Sequence, residues 1–160
     1  MNEWLKPGLM AAFAMCILVG CTQDMAVAPG EVIKERRALM KSNSKSFKVI
    51  KAFVKSGKGK VGNVRDAAVT LTWNAAQIPG LYPKGTSLAD GVGQTRAKPA
   101  IWVKWAEFEA AAGKLKAAAS KLAQAAAGGD AAAIKVAAGA IGKSCGGCHK
   151  PFRGPKPKKK

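Results

Sequence analysis

Near the C-terminus the chain reads Lys143-Ser144-Cys145-Gly146-Gly147-Cys148-His149-Lys150. Two cysteines two residues apart, followed at once by histidine, form C-x-x-C-H. At this spacing each thiol can form a thioether to a haem vinyl group, and the next side chain offers its imidazole to the iron. His149 is the single histidine among 160 residues, so no other imidazole competes. A structural zinc site takes four ligands, and Cys145, Cys148 and His149 have no second Cys or His pair to complete one. A thioredoxin-like dithiol belongs to strand–helix alternation, which the chain lacks. The motif predicts one covalently bound haem c.

The elements that must position these residues follow from the hydrophobic period. Ile134, Ala138, Ile141, Cys145 and Cys148 recur at spacings of four and three, the seam of a bundled helix. Both sulfurs fall on the core-facing stripe, which predicts a haem held inside the bundle. Asp130 is the expected N-cap of this last helix, and Gly128-Gly129 ends the one before it. That third helix repeats the rhythm through Ile101, Trp105, Phe108, Ala112, Leu115, Ala119, Leu122 and Ala126, with Pro99 just inside its start. Val64 to Ile78 predicts the second helix, stopped by Pro79-Gly80. The first runs from about Glu31 to Val54, with Ile33, Met40, Phe47, Ile50 and Val54 inward. Ser42-Asn43-Ser44 reads as a weak point in it. Leu81 to Lys98, rich in Pro and Gly, reads as a surface crossover.

At the other end, Lys6 precedes an apolar run from Gly8 to Gly20, the length of a signal-peptide core and too short to span a bilayer comfortably. Haem is attached to c-type cytochromes outside the cytoplasm, so an export signal and a periplasmic location are expected together. Leu18-Val19-Gly20-Cys21 reads as a lipobox, which would make Cys21 a lipid anchor. Ala26-Val27-Ala28 fits ordinary cleavage. The expected organisation is a signal peptide over residues 1–20 (of lipoprotein type, or extended to 28), a bundle over 29–153, and a basic disordered tail over 154–160. Cys16 is removed with the signal, and the haem consumes Cys145 and Cys148, so no disulfide is expected. The formal charge is +18 and the pI about 10.1, which favours acidic partners or anionic surfaces. The export signal and the haem motif argue against nucleic acid.

A four-helix bundle ending in C-x-x-C-H resembles the class II c-type cytochromes, the cytochrome c-prime family. The resemblance spans the mature chain and is carried by three stretches: Arg36-Arg37-Ala38-Leu39-Met40-Lys41, Gly93-Gln94-Thr95-Arg96-Ala97-Lys98-Pro99-Ala100-Ile101-Trp102, and Ile141 through Arg153. It implies an all-α, antiparallel four-helix bundle with haem near the C-terminus. It makes Cys145 and Cys148 the thioether residues and His149 the axial iron ligand. Arg36 and Arg37 match positions near the haem propionates, where a guanidinium pairs bidentately with carboxylate. Gln94 and Thr95 match crossover contacts to the haem edge, and Arg153 a basic residue near the proximal histidine. Arg37 departs from the uncharged polar residue usual at its position. Pro151 is a second departure and predicts fraying or a kink at His149 to Lys150.

Met40, one turn after Arg36, matches the distal position over the sixth site of iron. A bound thioether gives a low-spin His/Met electron carrier. A thioether that only packs there leaves a five-coordinate iron open to nitric oxide or carbon monoxide. The second is the favoured expectation, because Ser42-Asn43-Ser44 suggests a first helix too soft to hold sulfur on iron. Electron transfer with acidic redox partners is expected in either case, and an enzyme is not, since no carboxylate pair or nucleophile–base arrangement is visible. The reading from another class is a haem-free basic helical adaptor. Relatives often form homodimers through their first two helices. Here Lys45, Lys48, Lys51, Lys55 and Lys58 would make that surface repulsive.

Overall fold

The computed structural model describes residues 27–57 and 59–156. The predicted signal segment with Cys16 and Cys21, Lys58, and residues 157–160 of the tail lie outside the described residues. Four long helices make the bundle: α1 (Pro29–Ser56), α2 (Val61–Gln77), α4 (Trp105–Ala127) and α5 (Ala131–Phe152). A 3-10 turn (Pro79–Leu81) and a one-turn helix, α3 (Ala100–Val103), punctuate the crossover between α2 and α4. No β-strand occurs among the described residues.

The four-three stripes are the core. Val64, Ala68 and Leu71 of α2 meet Phe108, Ala112, Leu115, Ala119 and Leu122 of α4, with Ile134, Ala138 and Ile141 of α5 closing from the other side. Alternation of alanine with larger residues lets the axes approach while the larger side chains interdigitate, and each buried Leu or Ile contributes roughly 1.5–3 kcal/mol.

Three local expectations change. Pro99 is the N-cap rather than the first helical residue, and the expected third helix is broken at Lys104 (φ −116, ψ 47) into α3 and α4. The break falls between two tryptophans with different tasks. The Trp102 indole N–H donates to the Tyr82 carbonyl at 3.0 Å, and Trp105 lies tilted on Phe108. Second, Pro151 does not fray α5, which continues through His149 and Lys150 to Phe152. The proline sits in the last turn, where one missing N–H removes a single hydrogen bond, and the Arg153 N–H resumes the pattern by donating to the His149 carbonyl at 3.0 Å. Third, Ser42-Asn43-Ser44 is no weak point. Asn43 is buried, and its side-chain oxygen accepts from Asn74 Nδ2 of α2 at 2.8 Å. Asn74 Nδ2 also donates to Ser42 Oγ at 3.0 Å. Two polar residues in an apolar seam thus satisfy one another across the α1/α2 interface, and α1 passes through them uninterrupted.

Asp130 caps α5 as its sequence position suggested, accepting from Ala132 N and Ala133 N. Asp130→Ala is expected to lower the unfolding free energy by about 1 kcal/mol. The measurement is a lower urea midpoint at an unchanged slope.

Candidate functional site

Cys145 and Cys148 project from the last turns of α5, both half-buried and both packed against the main core cluster. Burial raises each thiol's pKa, so the sulfurs rest as neutral thiols in apolar surroundings. His149 is half-buried beside them. Its pKa is lowered, first by burial and then by the cations Arg153 and Arg96. The imidazole is therefore kept neutral with a lone pair to offer.

By register Cys145 and His149 border a loosely packed seam, while Cys148 turns toward α4. α1 touches α5 far less than the other adjacent helices touch one another. The two come close at Gly142, where an added Cβ would lie 3.4 Å from the Phe47 ring. The helices run antiparallel, so seven residues (about 10 Å of rise) toward the crossover end lead from Phe47 to Met40 on α1 and from Gly142 to His149 on α5. At 100° per residue Met40 shares the α5-facing side of α1 with Phe47, and His149 shares the α1-facing side of α5 with Gly142. Met40 is half-buried against the core cluster. A neutral imidazole and a thioether thus stand level across the seam, with two thiols beside the imidazole. This donor set suits a group that takes two thioether bonds and one imidazole bond from a single helix face. Among the described residues no cluster of three or more His, Cys, Asp or Glu could hold a bare metal ion. A separate groove of about 470 Å³ between α4 and α5 reaches Cys148 but not Cys145, His149 or Met40, and is a different feature.

Arg36 occupies the crossover end of the seam and is only 4% exposed. Its Nε donates to the Leu81 carbonyl at 2.9 Å, Nη1 to the Thr86 carbonyl and to Thr95 Oγ1, both at 3.1 Å, and Nη2 to Thr86 Oγ1 at 2.7 Å. The guanidinium lies 3.9 Å from the Tyr82 ring centroid. Burial lowers its pKa, yet an arginine starts so high that it stays charged. A buried cation without a carboxylate survives here because carbonyl and hydroxyl dipoles and a ring face replace its water. Four of its five N–H groups are spent on the chain itself, so the bidentate contact to a carboxylate expected of Arg36 has only one donor left. Arg37 is exposed and donates to Gln94 Oε1 at 3.2 Å. The four residues named from the resemblance, Arg36, Arg37, Gln94 and Thr95, thus form two adjoining pairs, with Arg36 as the anchor of the crossover.

Residues the sequence reading did not single out complete the site. Tyr82 is buried between the Arg36 guanidinium and the Phe108 ring, 4.7 Å between centroids, and Phe152 meets Phe108 edge-on at 5.4 Å. Arg96 donates through Nε to the Gly154 and Pro155 carbonyls at 2.8 and 2.9 Å, its own carbonyl accepts from Gly154 N, and Ala97 bridges Arg153. This strap ties the crossover to the end of α5. It also buries Gly154, so the bound chain extends beyond the boundary expected at residue 153. The available signal for Tyr82 was an isolated aromatic in a Pro/Gly-rich connection. Arg96 stood inside a quoted motif but carried no pattern that distinguished it from a surface charge.

A family model for cytochrome c′ matches residues 31–153. Cytochrome c′ of Rhodospirillum rubrum is 31% identical over 91% of the chain and 97% of its own length. Cytochrome c-556 of Agrobacterium fabrum is 30% identical over 86% of the chain and 90% of its own length. A solved cytochrome c′ with an unusual ligand-controlled dimer dissociation superposes with a TM-score of 0.75 at 30% identity, covering 81% of this chain and 99% of the other.

Tyr82 is the sole tyrosine, and burial pushes its pKa up from 10.0 to about 12, against the opposing pull of Arg36. The folded state therefore favours the neutral phenol. That contribution to stability is complete below pH 10 and is lost as pH rises from 10.0 to about 12. Phenolate absorbance in the near ultraviolet is expected to appear only in that upper range, together with loss of helical circular dichroism. An ordinary titration near pH 10 in folded protein would contradict it.

Proposed function

The chain belongs to the cytochrome c-prime family, whose cofactor is covalently attached haem c, and from that premise we propose that it is an exported electron-transfer protein whose haem also binds nitric oxide or carbon monoxide. The carrying observation is the arrangement across the seam: Cys145, Cys148 and His149 on α5, with Met40 level with the imidazole on α1. In this reading Cys145 and Cys148 form the thioethers and neutral His149 binds iron. Haem c held by them would supply a one-electron ferric/ferrous couple and an iron able to take a further ligand. Arg37, with most of its donors free, takes the larger share of propionate contact, and Arg36 adds its one remaining N–H. Arg153 and Arg96 place positive charge near His149, which favours the ferrous state. Residues 1–20 act as the leader into the periplasm, and Cys21 as the lipid anchor. In this reading the role is transfer and binding rather than catalysis.

A homodimer through α1 and α2 is part of this proposal. The lysines expected to oppose it are placed otherwise. Lys51 lies over Phe47, on the α5 side of α1. By helical register Lys41, Lys48 and Lys55 point straight out, Lys45 alone leans toward α2, and Lys58 lies outside the described residues. The α1/α2 face instead offers Val49 and a 69% exposed Trp73, the kind of apolar surface that a partner covers.

A second reading, the low-spin His/Met carrier, is favoured by the continuous α1. The Asn43–Asn74 clasp removes the softness that argued against an iron–sulfur bond, because it holds Met40 one turn away at a fixed height.

The Cys145→Ala/Cys148→Ala protein is expected to carry no haem that survives denaturation. A pyridine haemochrome spectrum of the denatured, extracted protein checks this, and retained haem would sink the assignment. Met40→Ala separates the two readings. With an open iron, the ferric spectrum stays and carbon monoxide binding quickens by on the order of tenfold, equivalent to about 1.4 kcal/mol of barrier. With an iron–sulfur bond, the spectrum itself changes to high-spin and a red charge-transfer band disappears.

A further inference from the structure

The four sides of the bundle carry very different charge. On the α2/α4 side Arg65 and Lys116 are matched by Asp66 and Glu109, and Arg65 pairs with Asp66 directly. The α4/α5 side holds Glu107 among its lysines. The α1/α2 side has Glu35 together with its apolar patch. The α1/α5 side has nothing negative along its length. Every charged residue from Arg36 through Arg65 is basic, and so is every charged residue after Asp130.

The pattern on α1 runs against helix stability. Lys41, Lys45, Lys48, Lys51 and Lys55 follow at spacings of four and three, so each is a neighbour of the next, and like charges at these spacings disfavour the helix. All five are exposed. Among the described residues the ion pairs are Lys34–Glu31, Arg65–Asp66 and Lys104–Glu107, and none relieves this stripe. By register α5 adds Lys135 and Arg153 across the seam, with Lys150 beside them. A locally unfavourable pattern held over four turns marks a site of use. Lys51 lies on the α5 side of α1, with Lys48 and Lys55 next to it on the stripe. These three border the seam of Cys145, His149 and Met40, in which the haem would sit.

We propose that the α1/α5 face is the docking surface for an acidic one-electron carrier protein, oriented so that its redox centre approaches the seam. This rests on the haem assignment above and names the partner chemistry of the same site. With haem held there, the reduced partner would give up one electron and the haem would take it up, with no bond or proton moved. Complementary charge speeds encounter and selects this side over the other three. It makes the association salt-sensitive, since exposed charges are screened beyond a Debye length.

The test uses the haem-loaded protein and an acidic flavodoxin in low-salt buffer, with Kd read by calorimetry. A haemochrome spectrum taken first shows whether haem is attached, so failure of that assignment is seen separately. Lys48→Glu/Lys51→Glu is expected to weaken binding by about tenfold or more, with the difference vanishing at high salt. Arg65→Glu/Lys116→Glu changes net charge equally on the opposite side and is expected to shift Kd by less than about twofold. Because Lys51 lies over Phe47, Lys48→Glu/Lys55→Glu serves as the second variant should the first lose helical structure. Equal weakening by both kinds of variant would reduce the effect to net charge and overturn the proposal. So would unchanged binding in the seam variants, or no flavodoxin binding by a wild-type protein that instead binds phosphatidylglycerol vesicles through these lysines.

Discussion

Arg36 is the interaction on which the site depends. Its guanidinium ties Leu81, Thr86 and Thr95 to the first helix and closes one face of Tyr82. Without it the crossover has little to pack on, for most of its residues are exposed and no regular ladder orders them. A charged group this deeply buried costs free energy to desolvate, and the bonds offset that cost only while all the partners stay in place. The crossover is therefore set in an all-or-none manner: the same contacts that solvate the cation fix the loop. The strap from Arg96 and Ala97 to Arg153 and Gly154 then transfers that order to the end of α5, next to His149.

The bundle was legible in the sequence because its code is short-range. Four-three spacing places Ile134, Ile141 and Leu122 without knowledge of their partners, and Asp130 needs only the two N–H groups that follow it. The haem motif stands out for the same reason, since Cys145, Cys148 and His149 lie within little more than one helical turn. What escaped was long-range and polar. Nothing local in Ser42-Asn43-Ser44 announces Asn74 thirty residues on, so a clasp read as a flaw. Nothing local to Arg36 reveals Thr86 or Leu81, which with Thr95 take up four of its hydrogen bonds. Pro151 was misjudged through position: the same residue mid-helix would break it, but in the last turn the loss is one hydrogen bond.

Packing between the helices is unequal in a way that serves the site. The α2/α4 and α4/α5 interfaces are filled by Leu, Ile, Phe and Ala at close spacing, and these make the rigid part of the molecule. The α1/α5 seam is pinned at Phe47 and Gly142 and is loose beyond them. Stability is thus drawn from three interfaces, leaving the fourth free to be shaped by what lies in it.

The clasp between Asn43 and Asn74 gives that looseness a limit. Buried Asn43, held by half-buried Asn74, lowers stability relative to leucine but resists sliding, since a shift by one turn would strand the Asn43 amide. Met40 stands three residues from it. The height of the Met40 sulfur along the seam is therefore governed by amide hydrogen bonding at a different interface, one turn along the same helix. A ruler of this kind sets vertical position and leaves lateral distance to the packing around Phe47. How near that sulfur stands to the imidazole across the seam then becomes a matter of sideways travel alone, tunable by side-chain volume in the seam while the helix register stays fixed.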